Sequence, residues 1–269
     1  MFMEKILTHE FFISANESNP EGELAVNILI SNIIEIATAH ANALGIGNPA
    51  MAHLNAGWVL SRLTLEMEEY PKVNTSYRLS TWVESWNRHF SVRDFEVQDQ
   101  DGRTVGYARS IWMVLDMSSH DNFGLSHLSM PMDIISDKEC PIGKQARHRD
   151  IVSAATPDEA VTPTELRANV PDTLYTFRYN DIDFYRHVNT VRYVTLLLNS
   201  YTLEDFDRNR LARLELSFLH EGAFGETVAI RRHDHRDETG ESRKSSFSLF
   251  AIARNIPILF ARIILTPRQ

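Results

Sequence analysis

The stretch from Asn180 to Tyr193 crowds Asp181, Asp183, Tyr185, His187 and Asn189 together. Carboxylates and an imidazole are the side chains that take and return protons near neutral pH. An apolar run follows at once, with Val191, Tyr193, Val194, Leu196, Leu197 and Leu198. This reads as a polar loop feeding a buried helix predicted over 188–200. Val188, Val191, Thr195 and Leu198 share one face of it, and Leu196 and Leu197 broaden that face. Asp and Asn suit the helix entry because their oxygens accept from unpaired backbone N–H groups. The N–H groups of Val188 and Asn189 would then stand at the positive end of the helix beside His187, where a carbonyl oxygen gaining charge could be held. The same residues are also the ordinary vocabulary of turns and caps, so the loop alone leaves both readings open.

The rest of the chain must position these groups. It has 269 residues, of which 43% are hydrophobic and 23% charged, enough for a sizeable core. The formal net charge of −9 argues against a basic nucleic-acid binder. The single cysteine, Cys140, excludes an internal disulfide and suits a reducing compartment; no catalytic pattern surrounds it. No long apolar run follows the first residues, and no stretch is long enough to span a bilayer. The expectation is a soluble, cytoplasmic protein without membrane contact.

Residues 10–15 are strand-like, and 24–43 have helical character. Val26, Ile30, Ile33, Ala37 and Ala41 form the apolar stripe of that helix, widened by Ile34. Gly45, Gly47 and Pro49 end it, and 46–55 reads as a loop. Strands follow at 59–69, 77–83, around 90–97, and 105–115, with a hairpin at Asp99–Gly102. Residues 128–170 carry several prolines and little periodicity and read as a connection. A strand (173–179), the helix after His187, and strands at 211–219, 227–231, 245–253 and 256–265 complete the chain. Arg62-Leu63-Thr64-Leu65-Glu66 echoes Arg213-Leu214-Glu215-Leu216-Ser217, and Ala108-Arg109 echoes Ala261-Arg262. Strand, helix, then antiparallel strands thus occur twice. An internal duplication of a helix-capped sheet is the natural reading.

Asp-x-Asp-x-x-x-His-Val-Asn followed by Val-Arg-Tyr resembles the signature of the acyl-ACP thioesterases. Gly57-Trp58-Val59-Leu60-Ser61-Arg62, Thr81-Trp82-Val83-Glu84 and Ala108-Arg109-Ser110-Ile111-Trp112 resemble first-half motifs of that family, in the same order. The resemblance implies an α+β tandem double hot-dog, two antiparallel sheets each wrapping a central helix. The halves would span 1–127 and 171–269, joined by 128–170. It also implies hydrolysis of a fatty acyl thioester on acyl carrier protein, releasing free fatty acid. Asp183, His187 and Glu221 fall on the family's catalytic positions, with Tyr185 where the family usually has Asn. A thiol leaves readily, so a positioned water and an oxyanion site matter more than a strong acid. Glu221 would draw the proton from water, His187 would position substrate or move a proton, and Asp183 would orient the imidazole. Val188 and Asn189 would contact the carbonyl, although Asn189 also reads as a residue that closes the loop. Trp58 and the other tryptophans read most simply as core, and some would line an acyl channel in the first half beside the small Ala37, Ala39, Ala41 and Ala43. Position 222 is Gly, where some plant members carry cysteine.

Neither metal nor cofactor is expected. His233-Asp234-His235 reads as an exposed polar turn running into a hairpin tip. An acidic carrier would need a local basic patch; Arg208, Arg210 and Arg213 are one candidate, Lys144, Arg147 and Arg149 another. The alternatives are an acyl-thioester binding protein impaired by Tyr185, or an acyl-CoA thioesterase on the same fold. A monomer and a homodimer are both open.

Overall fold

Alternating apolar residues build the strands, and a computed structural model describes residues 4–119, 121–128, 132–143, 145–146, 173–236 and 242–268. Two units form, Met1–Gln145 and Ala146–Gln269. In the first, β1 (Ile6–Phe12), α1 (Val26–Ala43), α2 (Asn48–His53), β2 (Ala56–Met67), β3 (Ser76–Trp86), β4 (Ser91–Gln98) and β5 (Thr104–Asp116) follow in order. Its antiparallel strands lie side by side as β1-β3-β4-β5-β2. In the second, β6 (Thr173–Thr176), α3 (Thr190–Leu198), α4 (Leu203–Arg208), β7 (Asn209–Phe218), β8 (Thr227–Arg236), β9 (Arg243–Ala251) and β10 (Ile256–Pro267) follow. These lie as β6-β8-β9-β10-β7. Each sheet therefore sets its first, third, fourth, fifth and second strands in the same order. The sequence echoes fall on matching rungs: Leu65 faces Ala108 in one sheet and Leu216 faces Ala261 in the other. The fold is the double hot-dog that the duplicated pattern implies.

The core follows the periodicity. Leu63, Leu65 and Met67 on β2 are buried, as are Tyr77, Leu79 and Val83 on β3 and Phe95 and Val97 on β4. The buried stripe of α1 is Val26, Leu29, Ile30, Ile33, Ile36, Ala37 and His40; Leu29 and Ile36 widen it, whereas Ile34 and Ala41 are half-buried. On α3 the buried residues are Tyr193, Val194, Leu196 and Leu197. Val191, Thr195 and Leu198, expected on its inner face, are half-buried, because the helix starts only at Thr190 and its face is set by Tyr193. The short helix α2 stands where the sequence reads as loop, and α4 lies between the second-half helix and the strand that follows it. Asp99-Gly102 makes the expected hairpin: the Asp99 carboxylate accepts from the N–H of Asp101 and Arg103, and Gly102 has φ 82°.

The connection is tighter at its start than composition suggests. Ile134 and Ile142 are fully buried in the first unit, Ile135 bridges Val83, and Lys138 pairs with Glu96 at 2.6 Å. Arg109 donates to the Ile142 carbonyl at 2.8 Å while pairing with Asp94 and Glu84. Lys144, Arg147, His148 and Arg149 lie outside the described residues, as does most of the stretch to 170. His233, Asp234 and His235 are strand residues of β8 rather than a turn. Asp234 is held by Arg232, Arg243 and Ser245, which pull its carboxyl down to about 2 against burial. Among the described residues no group of three or more metal-ligating side chains occurs, and no helix is long and apolar enough to cross a membrane.

One buried polar pair lies in the first unit. Arg93, 5% exposed, donates from Nη1 to His40 Nδ1 at 2.8 Å and to Thr81 Oγ1 at 3.2 Å. His40 therefore carries its proton on Nε2 and donates it to the Glu4 carbonyl at 2.9 Å. Burial, then the neighbouring Arg93 charge, push His40 from 6.5 down to about 4. The unfolded chain thus binds the extra proton first on acidification. The stabilisation from this neutral ring is complete above pH 6.5 and is lost as pH falls toward 4. A pH titration followed by NMR should place the His40 ring midpoint near 4. A midpoint above 6 would remove this account of the pair.

Candidate active site

The chain leaves β6 at Thr176 and makes one tight turn over Tyr179–Asp181. Asp181 is 3% exposed and anchors the loop: its carboxylate accepts from Tyr175 Oη (2.9 Å), the Arg178 N–H (2.7 Å) and Arg192 Nε (2.8 Å). The next turn closes on Asp183. Its N–H donates to the His187 carbonyl at 2.8 Å, and its Oδ1 accepts from the N–H groups of Tyr185 (2.9 Å) and His187 (3.3 Å). Arg186 completes the turn at φ 71°, a left-handed conformation that favours glycine. Ile182 then bridges Val188, and His187 bridges Ala223.

That last bridge makes the site. Val188 N–H donates to the Gly222 carbonyl at 3.0 Å, drawing the end of the β7–β8 connection against the loop. His187 Nε2 then meets Glu221 Oε2 at 3.1 Å. The two side chains are 27% and 37% exposed, so water and a substrate can reach them. Neighbours hold the Glu221 segment in place. Arg254 donates to the Glu221 carbonyl at 2.6 Å and grips Glu226 with two bonds of 2.6 and 2.7 Å. Tyr193 Oη accepts from the Gly222 N–H at 3.0 Å. An imidazole hydrogen-bonded to a reachable carboxylate can share a proton taken from water.

Other expected site residues stand differently. Asp183 bonds the backbone of its own loop, so it orients His187 by fixing the turn. The N–H of Val188 is taken by Gly222, and that of Asn189 by the Asp181 carbonyl at 2.8 Å. The expectation that these two donors hold the carbonyl oxygen is therefore overturned: the bridges that close the loop use them before the helix begins. Asn189 is the cap of α3, its side chain accepting from the Val191 N–H at 2.9 Å. Tyr185 is half-buried, its ring 3.9 Å from that of Phe184. Burial, then the Asp183 charge, raise its phenol above the ordinary range, so it remains a donor at neutral pH. Trp58 lies in the first unit, where it lines a cleft of ≈ 450 Å³, open mouth included, with Ala37, Ala41, Ile46, Arg93 and Trp112. Its indole N–H is fixed on the Ile46 carbonyl at 2.7 Å. Tyr193 and Arg254 were not read as site residues. Tyr193 sits in the Val-Arg-Tyr motif and was legible there as more than core, whereas nothing local marks Arg254. The expected patch of Arg208, Arg210 and Arg213 is largely neutralised, since Arg208 pairs with Glu204 and Arg213 with Glu215.

The first unit contains the same loop without the reactive pair. Asn19 N–H donates to the Glu23 carbonyl and Asn19 Oδ1 accepts from the Glu23 N–H, both at 2.8 Å. Gly22 has φ 71°, Leu24 N–H donates to Pro71, Ala25 N–H donates to Glu17, and Glu23 bridges Lys72. Bond for bond, Asn19 answers to Asp183, Gly22 to Arg186, Glu23 to His187 and Leu24 to Val188. Glu23 is 4% exposed and pairs with Lys72 at 2.8 Å.

Gly222 is required by packing. A Cβ there would meet Tyr193 Oη at 2.7 Å, with Phe177 Cε2 and Val188 Cγ2 each at 3.0 Å. The Gly222→Ala variant should lose about 1–3 kcal/mol in urea unfolding, because a crowded site must shift its neighbours. Stability unchanged within error would show that the contact is soft.

Comparison with known proteins gives this geometry a family. The acyl-ACP thioesterase N-terminal domain matches residues 4–122, and the acyl-ACP thioesterase C-terminal domain matches 165–252. A crystal structure of an acyl-ACP thioesterase from Bacteroides thetaiotaomicron superposes with TM-score 0.81 at 27% identity, covering 97% of this chain and 98% of that one. A 12:0-ACP thioesterase from Umbellularia californica shares the fold with TM-score 0.81 at 16% identity, covering 99% and 96%. A chloroplastic acyl-carrier-protein hydrolase of Cuphea viscosissima is 24% identical over 221 residues, which is 78% of this chain and 50% of that protein. The chain thus spans about half the length of the curated relatives it matches. With both domain models matched in order over most of the chain, it belongs to the acyl-ACP thioesterase family.

Proposed function

We propose that the protein hydrolyses fatty acyl thioesters carried on acyl carrier protein, releasing free fatty acid in the cytoplasm. The observation that carries this reading is the reachable His187–Glu221 pair, 3.1 Å apart. A water held between the pair and the thioester attacks the carbonyl carbon. Glu221 takes the water proton, and the neighbouring imidazole stabilises and relays it. The Tyr185 phenol donates to the carbonyl oxygen as negative charge builds there, the task for which the backbone donors of Val188 and Asn189 are no longer available. The C–S bond then breaks, and the departing thiolate takes the proton from the pair. Asp183 acts as a positioning residue.

Glu221→Gln and His187→Ala should each lower kcat by about 10²–10⁴-fold with the far-ultraviolet circular dichroism unchanged. The measurement is thiol release from acyl carrier proteins loaded with a series of chain lengths. Tyr185→Phe should cost about tenfold or more, since it removes one donor to the developing oxyanion. A large gain of activity in Tyr185→Asn would instead mark Tyr185 as an obstruction. Wild-type protein that binds the acyl carrier and releases no thiol would establish the binding-protein reading.

A further inference from the structure

The described residues with the most exposed large apolar side chains are Tyr179 (85%), Phe184 (76%) and Phe224 (68%). Each sits on a segment that frames the reactive pair. Tyr179 opens the turn that leads into the loop, Phe184 lies between Asp183 and Tyr185, and Phe224 follows the residue that bridges His187. Backbone bonds stitch these segments together: Phe177 N–H to the Glu226 carbonyl (3.0 Å), Gly225 N–H to the Phe177 carbonyl (2.9 Å), and Val188 N–H to the Gly222 carbonyl. Three aromatic side chains left largely in water on the segments that frame one pair are surface that folding alone does not call for.

Charge points the same way. Arg178 and Arg186 are exposed beside Tyr179 and Phe184, and neither pairs with an acid among the described residues. Their neighbour Arg254, on the same side of the reactive pair, holds Glu226 instead. Arg186 also occupies a φ of 71° that the first unit fills with Gly22. A non-glycine residue there costs about 1 kcal/mol, so its side chain has a use that the turn itself does not supply. On a chain of net charge −9, two unneutralised cations at the mouth of the site form a local exception to a repulsive field. Exposed aromatics interleaved with arginine are the composition of binding hot spots.

We propose that Tyr179, Phe184 and Phe224, with Arg178 and Arg186, form the docking rim for an acidic carrier protein that presents its thioester on a flexible arm. This rests on the hydrolase reading for the nature of the carried group, and on the rim alone for the partner's charge. The arginines steer and hold the acidic surface, while the aromatics cover the apolar part of the contact.

The test uses the full chain, wild type and an Arg178→Glu/Arg186→Glu/Phe224→Ser variant, against two substrates with the same acyl group. One is acyl carrier protein; the other is the small thioester of N-acetylcysteamine. The variant should lose about 10–100-fold in kcat/KM on the carrier, mostly through KM, and keep its rate on the small thioester within about twofold. Its carrier reaction should also lose most of the salt dependence seen in the wild type. Equal losses on both substrates, or none on either, would overturn the rim. Binding is read separately, by fluorescence anisotropy of labelled holo-carrier: Kd should weaken about tenfold or more in the variant, and an unchanged Kd would overturn the proposal. Rim-dependent binding without any thiol release would retain the rim and overturn the hydrolase reading.

Discussion

The site depends on one backbone exchange. Without the hydrogen bond from the Val188 N–H to the Gly222 carbonyl and the bridge between His187 and Ala223, nothing would bring the imidazole to the Glu221 carboxylate. The contact is between a loop and a strand connection, neither of which has a ladder to hold it. Its rigidity comes from what surrounds it. Asp181 pins one side with three charge-assisted or neutral bonds, and Arg254 and Tyr193 pin the other. Buried backbone donors must be satisfied, and here satisfying them also sets the geometry of the chemistry. The same economy removes the N–H groups of Val188 and Asn189 from the list of free donors.

The duplicated fold separates what belongs to shape from what belongs to reaction. Both sheets have the same strand order, and both enter their long helix through the same turn. Asn19 holds that turn in the first unit as Asp183 does in the second, through the same acceptor geometry. A carboxylate at 183 is therefore one of two chemically different solutions to a backbone problem. Its oxygen is spent on the N–H groups of its own loop. Further differences between the copies include His187 against Glu23 and Arg186 against Gly22.

Much of this was legible in the sequence. Strand alternation located Leu63, Leu65 and Met67, and the spacing of Val26, Ile30 and Ile33 located the buried side of α1, because burial imposes its period directly. The weak echoes on β2 and β7 proved to occupy equivalent rungs. The pairing of His187 with Glu221 came from the family resemblance, since no local rule joins a loop to a distant strand end. What local pattern missed was set by tertiary contact. The short helix α2 lies in a stretch rich in Gly and Pro, and α3 turns Tyr193 rather than Val191 inward. His233 and Asp234 extend β8 beyond the apolar residues that marked it, because Arg232, Arg243 and Ser245 neutralise Asp234 from neighbouring positions. The oxyanion reading failed for a similar reason: free helix N–H groups were inferred from helix rules, while sheet-like bridges had already consumed them.

The Glu23–Lys72 pair has a bearing on how such proteins are recognised. The turn that carries His187 toward Glu221 in the second unit carries Glu23 in the first, and Glu23 pairs with Lys72, the position that answers to Ala223. Turn geometry is thus no witness to reactivity: a search keyed to the bend would flag both halves of this chain alike. What separates the two copies is the side chain the turn presents, His187 in one and Glu23 in the other, while the backbone bonds are shared.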